Sequence, residues 1–291
     1  MFLKIKILIK PTNPHMKISL SIILFAFTLS LSSCFKKSEK VMLEEIGEKA
    51  PVPVKTEVVE YQLNGKTYKS FAAFQNTDEK KPVVIVIPEW WGLNDYAKSR
   101  AKKLADLGYF ALAVDFYGDG QFVETPDEAT TLSAPFYTNS KLAKETFDAA
   151  KNSLSKFPSA DTTQTAVIGY CFGGAQALNM ARQEADLKGV VSFHGNLMTC
   201  VKPSNNDVPY LVLNGEDDSY VPQKERDAFK KQMDSAQIDY QFVNYPGAVH
   251  SFTNPNSTAV GKKYNMKVAY NKEADEKSWT AMKDFFDKIF K

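Results

Sequence analysis

Histidine and cysteine are both scarce in this 291-residue chain, three of each, and neither clusters. No pair of them has metal-ligand spacing, and Glu216-Asp217-Asp218 is a lone acidic turn, so the sequence shows no metal site. Charge of one sign is lacking as well. The 36 basic residues stand against 34 acidic ones, a net charge of +2, without the basic excess that nucleic-acid binding requires. No Gly-rich phosphate loop, dinucleotide fingerprint or internal repeat occurs, and no cofactor is implied. Three cysteines (Cys34, Cys171 and Cys200) are too few for a disulfide framework, and their settings are unlike.

Long apolar runs are missing too, with one exception. Met16-Lys17 precedes an uncharged apolar stretch, residues 18–31, and then Ser32-Ser33-Cys34. The stretch is shorter than the roughly 20 residues of a membrane-spanning helix. A basic start, short apolar middle and small-residue end make a secretory signal peptide, with Met16 a candidate start. Leu31-Ser32-Ser33-Cys34 resembles the bacterial lipobox, which implies acylation of Cys34 and a lipid anchor in the cell envelope, periplasmic or on the outer surface. Residues 1–34 are therefore read as signal and residues 35–54, rich in Lys, Glu and Pro, as a flexible tether. Residues 55–291 remain for one folded domain, and 44% hydrophobic content suits a globular one.

Within that domain short apolar runs alternate with amphipathic stretches. Residues 56–62 and 67–74 flank Asn64-Gly65 and read as a β-hairpin. The β-branched run at 83–87 has no polar face, as in a strand covered on both sides. Helical periodicity follows at 94–107, then a strand at 110–114 and a helix at 140–157. Residues 165–170 form a strand that runs into Cys171, and 172–183 favour helix. Strands at 189–193, 210–213 and 240–245 follow, with helices at 222–236 and 272–290. This alternation predicts an α/β fold, a mostly parallel central sheet flanked by helices on both faces. Residues 117–139 carry no firm pattern. They read as an insertion over the carboxyl edge of the sheet and a candidate pocket wall.

The chemistry converges on that edge. Gly169-Tyr170-Cys171-Phe172-Gly173-Gly174 joins a strand to a helix, and small residues two before and two after Cys171 permit a nucleophile elbow. The helix N-terminus behind the thiol favours thiolate. Asp218 and His250 each follow a strand, so both loops open on the same edge. The chain order nucleophile, acid, base is that of α/β-hydrolases. His250 takes the proton of Cys171 and Asp218 sets the imidazole tautomer. Asp217 is the rival acid. His194, in Ser192-Phe193-His194-Gly195, breaks that order as a base and is read as a pocket residue or a structural hydrogen-bonder. Pro88-Glu89-Trp90-Trp91-Gly92 follows the 83–87 strand, where Trp90 N–H and Phe172 N–H are the candidate oxyanion hole. Trp91 and Tyr117 are further pocket candidates.

Taken together, residues 55–290 resemble the dienelactone hydrolase family. The likeness rests on Pro88-Glu89-Trp90-Trp91-Gly92-Leu93-Asn94, Val114-Asp115-Phe116-Tyr117-Gly118, the Cys171 elbow, Ser192 to Gly195, Gly215 to Pro222 and His250-Ser251-Phe252. It implies the α/β-hydrolase fold, a cofactor-free Cys171–His250–Asp218 triad and a Glu89 that contacts the resting thiol and helps to activate it. The family's arginines after the fourth strand and four residues past the catalytic histidine are replaced by Tyr117-Gly118-Asp119 and Asn254. Without them nothing pairs a substrate carboxylate, so the expected substrate is an ester or lactone other than a dienelactone. A lipid-anchored ligand-binding protein of weak catalytic power and a thioester hydrolase are the alternatives.

Overall fold

The computed structural model describes residues 52–183, 186–203 and 207–291. The signal, Cys34 and residues 35–51 of the tether lie outside the described residues. Among those described, no helix is long and apolar enough to cross a membrane. Eight strands form one sheet in the order β1-β2-β4-β3-β5-β6-β7-β8. They are β1 Val54–Leu63, β2 Lys66–Gln75, β3 Lys81–Ile87, β4 Phe110–Ala113, β5 Ala160–Tyr170, β6 Gly189–Phe193, β7 Tyr210–Gly215 and β8 Tyr240–Tyr245. Only the pairings β1–β2 and β2–β4 are antiparallel; the other pairs run parallel. β1 begins at Val54, inside the range read as tether. The hairpin turns at Asn64 (φ 51°) and Gly65 (φ 77°), both left-handed, the geometry that Asn-Gly accepts most readily.

The helices are α1 Asp95–Asp106, α2 Pro126–Thr138, α3 Ser140–Asn152, α4 Phe172–Arg182, α5 Gln223–Ser235, α6 Ser257–Tyr264 and α7 Lys272–Ile289. A 3₁₀ turn, Ser153–Lys156, carries α3 on towards β5. The unpolarised 83–87 run explains how they are distributed. Val83, Ile85 and Ile87 point into the cluster with Phe147, Leu178 and Phe229, so α3, α4 and α5 cover that face. Val84 and Val86 point into the other, with Ala101, Leu104, Met282 and Phe286 of α1 and α7. All five strand residues are fully buried, each stabilising the fold by about 1.5–3 kcal/mol.

Two stretches differ from the sequence reading. Residues 117–139 hold a helix, α2, started by a capping box in which Thr125 and Glu128 bond each other's backbone N–H. α6 is a second unforeseen helix, two turns long and ended by Asn265 at φ 51°.

The close approaches around α4 give a stability prediction. A Cβ on Gly173 sits 2.1 Å from Ile87 O, a backbone atom of the central strand that cannot step aside. Gly173→Ala is expected to cost about 4 kcal/mol in urea unfolding, at the far end of the single-substitution range. Gly65→Ala meets no atom within 4 Å and is expected to cost only about 1 kcal/mol, from its positive φ alone.

Candidate active site

β5 ends at Tyr170 and α4 starts at Phe172, leaving Cys171 as the whole of the turn. Its backbone stands at φ 54°, ψ −115°, a conformation that L-residues avoid and that persists only under surrounding constraint. The constraint is visible. A Cβ on Gly169 meets Gly173 O at 1.9 Å, so the two arms touch backbone to backbone. The Cys171 N–H donates to Phe193 O at 3.0 Å and to His194 Nδ1 at 3.1 Å. The thiol is left half-buried at the mouth of α4. Phe172, first residue of that helix, has no carbonyl four residues back to bond its N–H.

The acid and base loops meet the elbow at the same edge. Asp218 follows β7 and His250 follows β8, and Gly215 lets the loops approach, since a Cβ on it meets Ala248 O at 2.5 Å. His250 Nδ1 lies 2.8 Å from Asp218 Oδ2, with both side chains almost wholly buried. Asp218 Oδ1 accepts the Tyr220 N–H at 2.8 Å, which fixes the carboxylate. Asp217 faces solvent, so the rival acid is not the one on the histidine. Burial alone disfavours a charged His250. The Cys171 side chain and the Asp218 carboxylate outweigh that and raise its pKa well above the usual imidazole value.

Glu89 is 2% exposed and lies in the turn after β3. Ser251 Oγ donates to its Oε1 at 2.8 Å and Asn254 Nδ2 to its Oε2 at 2.7 Å. Both oxygens are thus held by neutral donors of the His250 loop, and the described hydrogen bonds of Glu89 do not include one to the thiol. Asn254 stands where the family pattern has arginine, so Glu89 has no cation bonded to it. Burial raises its pKa, and the Ser251 and Asn254 donors oppose this only in part. A carboxyl raised by folding stabilises the fold below its unfolded pKa, and that contribution is lost as pH rises through the folded value. Glu89→Gln is therefore expected to raise the melting temperature at neutral pH, with the gain shrinking as pH falls through the carboxyl's titration. Thermal scans across pH check this. The Gln carbonyl keeps the Asn254 bond and Ser251 Oγ accepts from its amide.

Thiol, imidazole and Glu89 open on one cavity of about 260 Å³. Trp90, Trp91, Tyr137, Tyr220, Val260 and Met266 supply its apolar walls, and none of its lining residues is lysine or arginine. The stretch read as a pocket wall does line it, through Thr130, Ser133, Ala134 and Tyr137 of α2. Trp91 lines the cavity as expected, but Tyr117 and His194 do not. Tyr117 lies behind the wall, where its hydroxyl donates to Trp90 O at 2.9 Å and braces the loop carrying Trp90 N–H. His194, 1% exposed, lies beneath the elbow. The sequence reading gave no site role to Ser251 or Tyr220, whose only signal was proximity in sequence to His250 and Asp218, and read Asn254 only as the residue in the place of the family's arginine. Among the described residues no group of three His, Cys, Asp or Glu side chains could hold a metal ion.

A mostly parallel sheet that brings Cys171 and the loops of Asp218 and His250 to one edge is the α/β-hydrolase fold, here of the ester- or lactone-cleaving class. Residues 70–290 match the dienelactone hydrolase family, and the chain belongs to it. It is 28% identical to "Protein usf" of Aquifex pyrophilus over 75% of this chain and 98% of that protein. A Bradyrhizobium protein, named as a probable 2-oxo-3-(5-oxofuran-2-ylidene)propanoate lactonase, is 28% identical over 67% of this chain and 82% of its own length. Among solved structures, a dienelactone hydrolase-like promiscuous phosphotriesterase from metagenomic libraries superposes with a TM-score of 0.75 and 32% identity, covering 81% of this chain and 98% of that one.

Proposed function

We propose that the protein hydrolyses an uncharged ester or lactone with Cys171 as nucleophile, His250 as base and then acid, and Asp218 as the group that orients His250. The observation that carries this reading is the Asp218–His250 contact of 2.8 Å, with Cys171 and the same imidazole lining one cavity. In acylation the Cys171 thiolate attacks the carbonyl carbon, and the N–H groups of Trp90 and Phe172 receive the negative oxygen. The C–O bond to the leaving group then breaks, and the alkoxide takes the proton held on His250 Nε2. In deacylation His250 removes a proton from water, hydroxide attacks the thioester, and acid and thiolate separate. Glu89 holds the loops of the base and the oxyanion donor together through Ser251 and Asn254.

The lining, which has no lysine or arginine, supports an uncharged acyl group, since a substrate carboxylate entering it meets Glu89, and the one cation of the mechanism, protonated His250, is already paired with Asp218. The Bradyrhizobium lactonase supports a lactone within this class. An anchored location, with Cys34 acylated in the cell envelope, rests on Leu31 to Cys34; incorporation of labelled palmitate that Cys34→Ser abolishes is its test.

Acid quenching during p-nitrophenyl acetate turnover, followed by peptide mass spectrometry, tests the mechanism. An acetyl group on the Cys171 peptide, and none on the Cys200 peptide, is the expected result. Turnover without any acyl-cysteine overturns the reading.

A further inference from the structure

His194 is a buried polar side chain that the mechanism leaves unused, and its two ring nitrogens have different partners. Nδ1 accepts the backbone N–H of Cys171 at 3.1 Å. Nε2 lies 2.7 Å from Thr253 Oγ1, on the loop that carries His250, Ser251 and Asn254. A nitrogen that accepts from an amide N–H carries no proton, so the ring proton is on Nε2 and is donated to Thr253. Thr253 is itself fixed. Its hydroxyl shares a 2.6 Å hydrogen bond with Tyr96, and its carbonyl accepts from the Arg100 guanidinium, which also pairs with Asp275 at 2.6 Å. One imidazole therefore joins the strained backbone of the nucleophile to the loop of the base, and that loop to α1 and α7.

We infer that His194 is a positioning residue that, as the neutral Nε2–H tautomer, locks the nucleophile elbow to the His250 loop. The inference rests on the reading of Cys171 as nucleophile. The elbow at φ 54° needs fixed partners, and the Cys171 N–H has two, Phe193 O and His194 Nδ1. A second proton on His194 removes the acceptor and sets the Nδ1–H donor against the Cys171 N–H donor. Two charged groups near the ring disfavour that proton, His250, with its ring centre 5.3 Å away, and Arg100. Tyr170, with its ring centre 6.0 Å away, Tyr96, reached through Thr253, and Cys171, whose N–H the ring accepts, are the other titratable residues around it. Burial acts in the same direction and lowers the His194 pKa well below the usual imidazole value. His250 is then the only imidazole in the site that changes charge during the reaction.

Nitrogen-15 spectra of the full-length protein test the tautomer directly, because its three histidines are few enough to assign. His194 is expected to stay a neutral Nε2–H ring from about pH 5 to about pH 9. Kinetics test the consequence. His194→Phe is expected to lower kcat on p-nitrophenyl acetate about 30-fold, with KM within about twofold. His194→Asn places an oxygen acceptor where Nδ1 stood and is expected to recover kcat to within about fivefold of wild type. Thr253→Val is expected to lower kcat about tenfold, and adding it to His194→Phe brings no further loss, since both break one chain. Protonation of His194 Nδ1 in that range, full kcat in His194→Phe, or an additive double variant overturns the proposal. If His194→Phe fails to fold, the wild-type spectra and Thr253→Val decide the matter. Persistent turnover in Cys171→Ala strikes down the nucleophile reading instead, and the spectra still report the tautomer.

Discussion

Cys171→Ala is expected to lower kcat/KM for p-nitrophenyl acetate by about 10⁵-fold, leaving only the residual rate that an oxyanion hole and binding supply. The expectation follows from how the site is organised around this one atom. The elbow holds Cys171 at φ 54°, and the His250 of the Asp218–His250 pair lines the same cavity. Removing the sulfur leaves His250 with no nucleophile to activate except water, which is not held at the carbonyl. Cys171→Ser should fall between the alanine variant and wild type. The hydroxyl keeps the geometry but ionises far less readily than a thiol, so His250 must take its proton during attack rather than before it. A Cys171→Ala protein that kept a tenth of the activity would place the nucleophile elsewhere, and Cys200, exposed and not among the residues that line the cavity, offers no substitute.

The same alanine variant separates the enzyme from a ligand-binding protein of the same fold. A binder loses little when a half-buried thiol becomes a methyl group, because the cavity walls stay in place. An enzyme loses nearly everything. A lining without lysine or arginine adds a second contrast: matched substrates that differ only by a carboxylate should be turned over unequally, the charged one more slowly, since it meets Glu89 and since protonated His250 is already paired with Asp218.

Most of the fold was legible because its strands carry extreme patterns. A run such as 83–87 has no polar face and must lie under two layers, and Asn64-Gly65 predicts the left-handed turn found there. Chain order placed Cys171, Asp218 and His250 together for a similar reason. In a parallel sheet every strand ends on the same edge, so residues just past strand ends are neighbours whatever their separation in sequence. What could not be read were side-chain partners across that edge. Glu89 was legible only as a carboxylate near the oxyanion loop, because its donors, Ser251 and Asn254, come from a loop more than 160 residues away. Of the two readings of His194, pocket residue or structural hydrogen-bonder, the second fits its bonds to Cys171 and Thr253; the sequence left both open because strand position does not say which way a ring turns at a left-handed residue, here φ 43°. α2 was missed despite Thr125-Pro126-Asp127-Glu128, a readable capping box. Pro135 inside the helix and weak amphipathy obscured the rest.

Asp218→Asn is expected to lower kcat by about 10⁴-fold, and Asp217→Asn to leave it within about twofold. The neighbouring carboxylates differ in position and not in chemistry, which makes the pair a sharp test of the geometry. Asp218 is 2% exposed and lies 2.8 Å from His250 Nδ1, while Asp217 faces water. The carboxylate can only accept, so it fixes the ring proton on Nδ1 and leaves Nε2 to the thiol. An amide can present either its oxygen or its NH₂, and the second choice favours the tautomer with Nε2 already protonated and unable to act as base. The pH profile should move as well. The Asp218 carboxylate is one of the groups that raise the His250 pKa, so losing it lowers that pKa. The steps that need a protonated His250 then fail at a lower pH, and the alkaline limb of kcat shifts towards neutrality in Asp218→Asn but not in Asp217→Asn. Equal losses in the two variants would mean that burial and the 2.8 Å contact do not choose the acid.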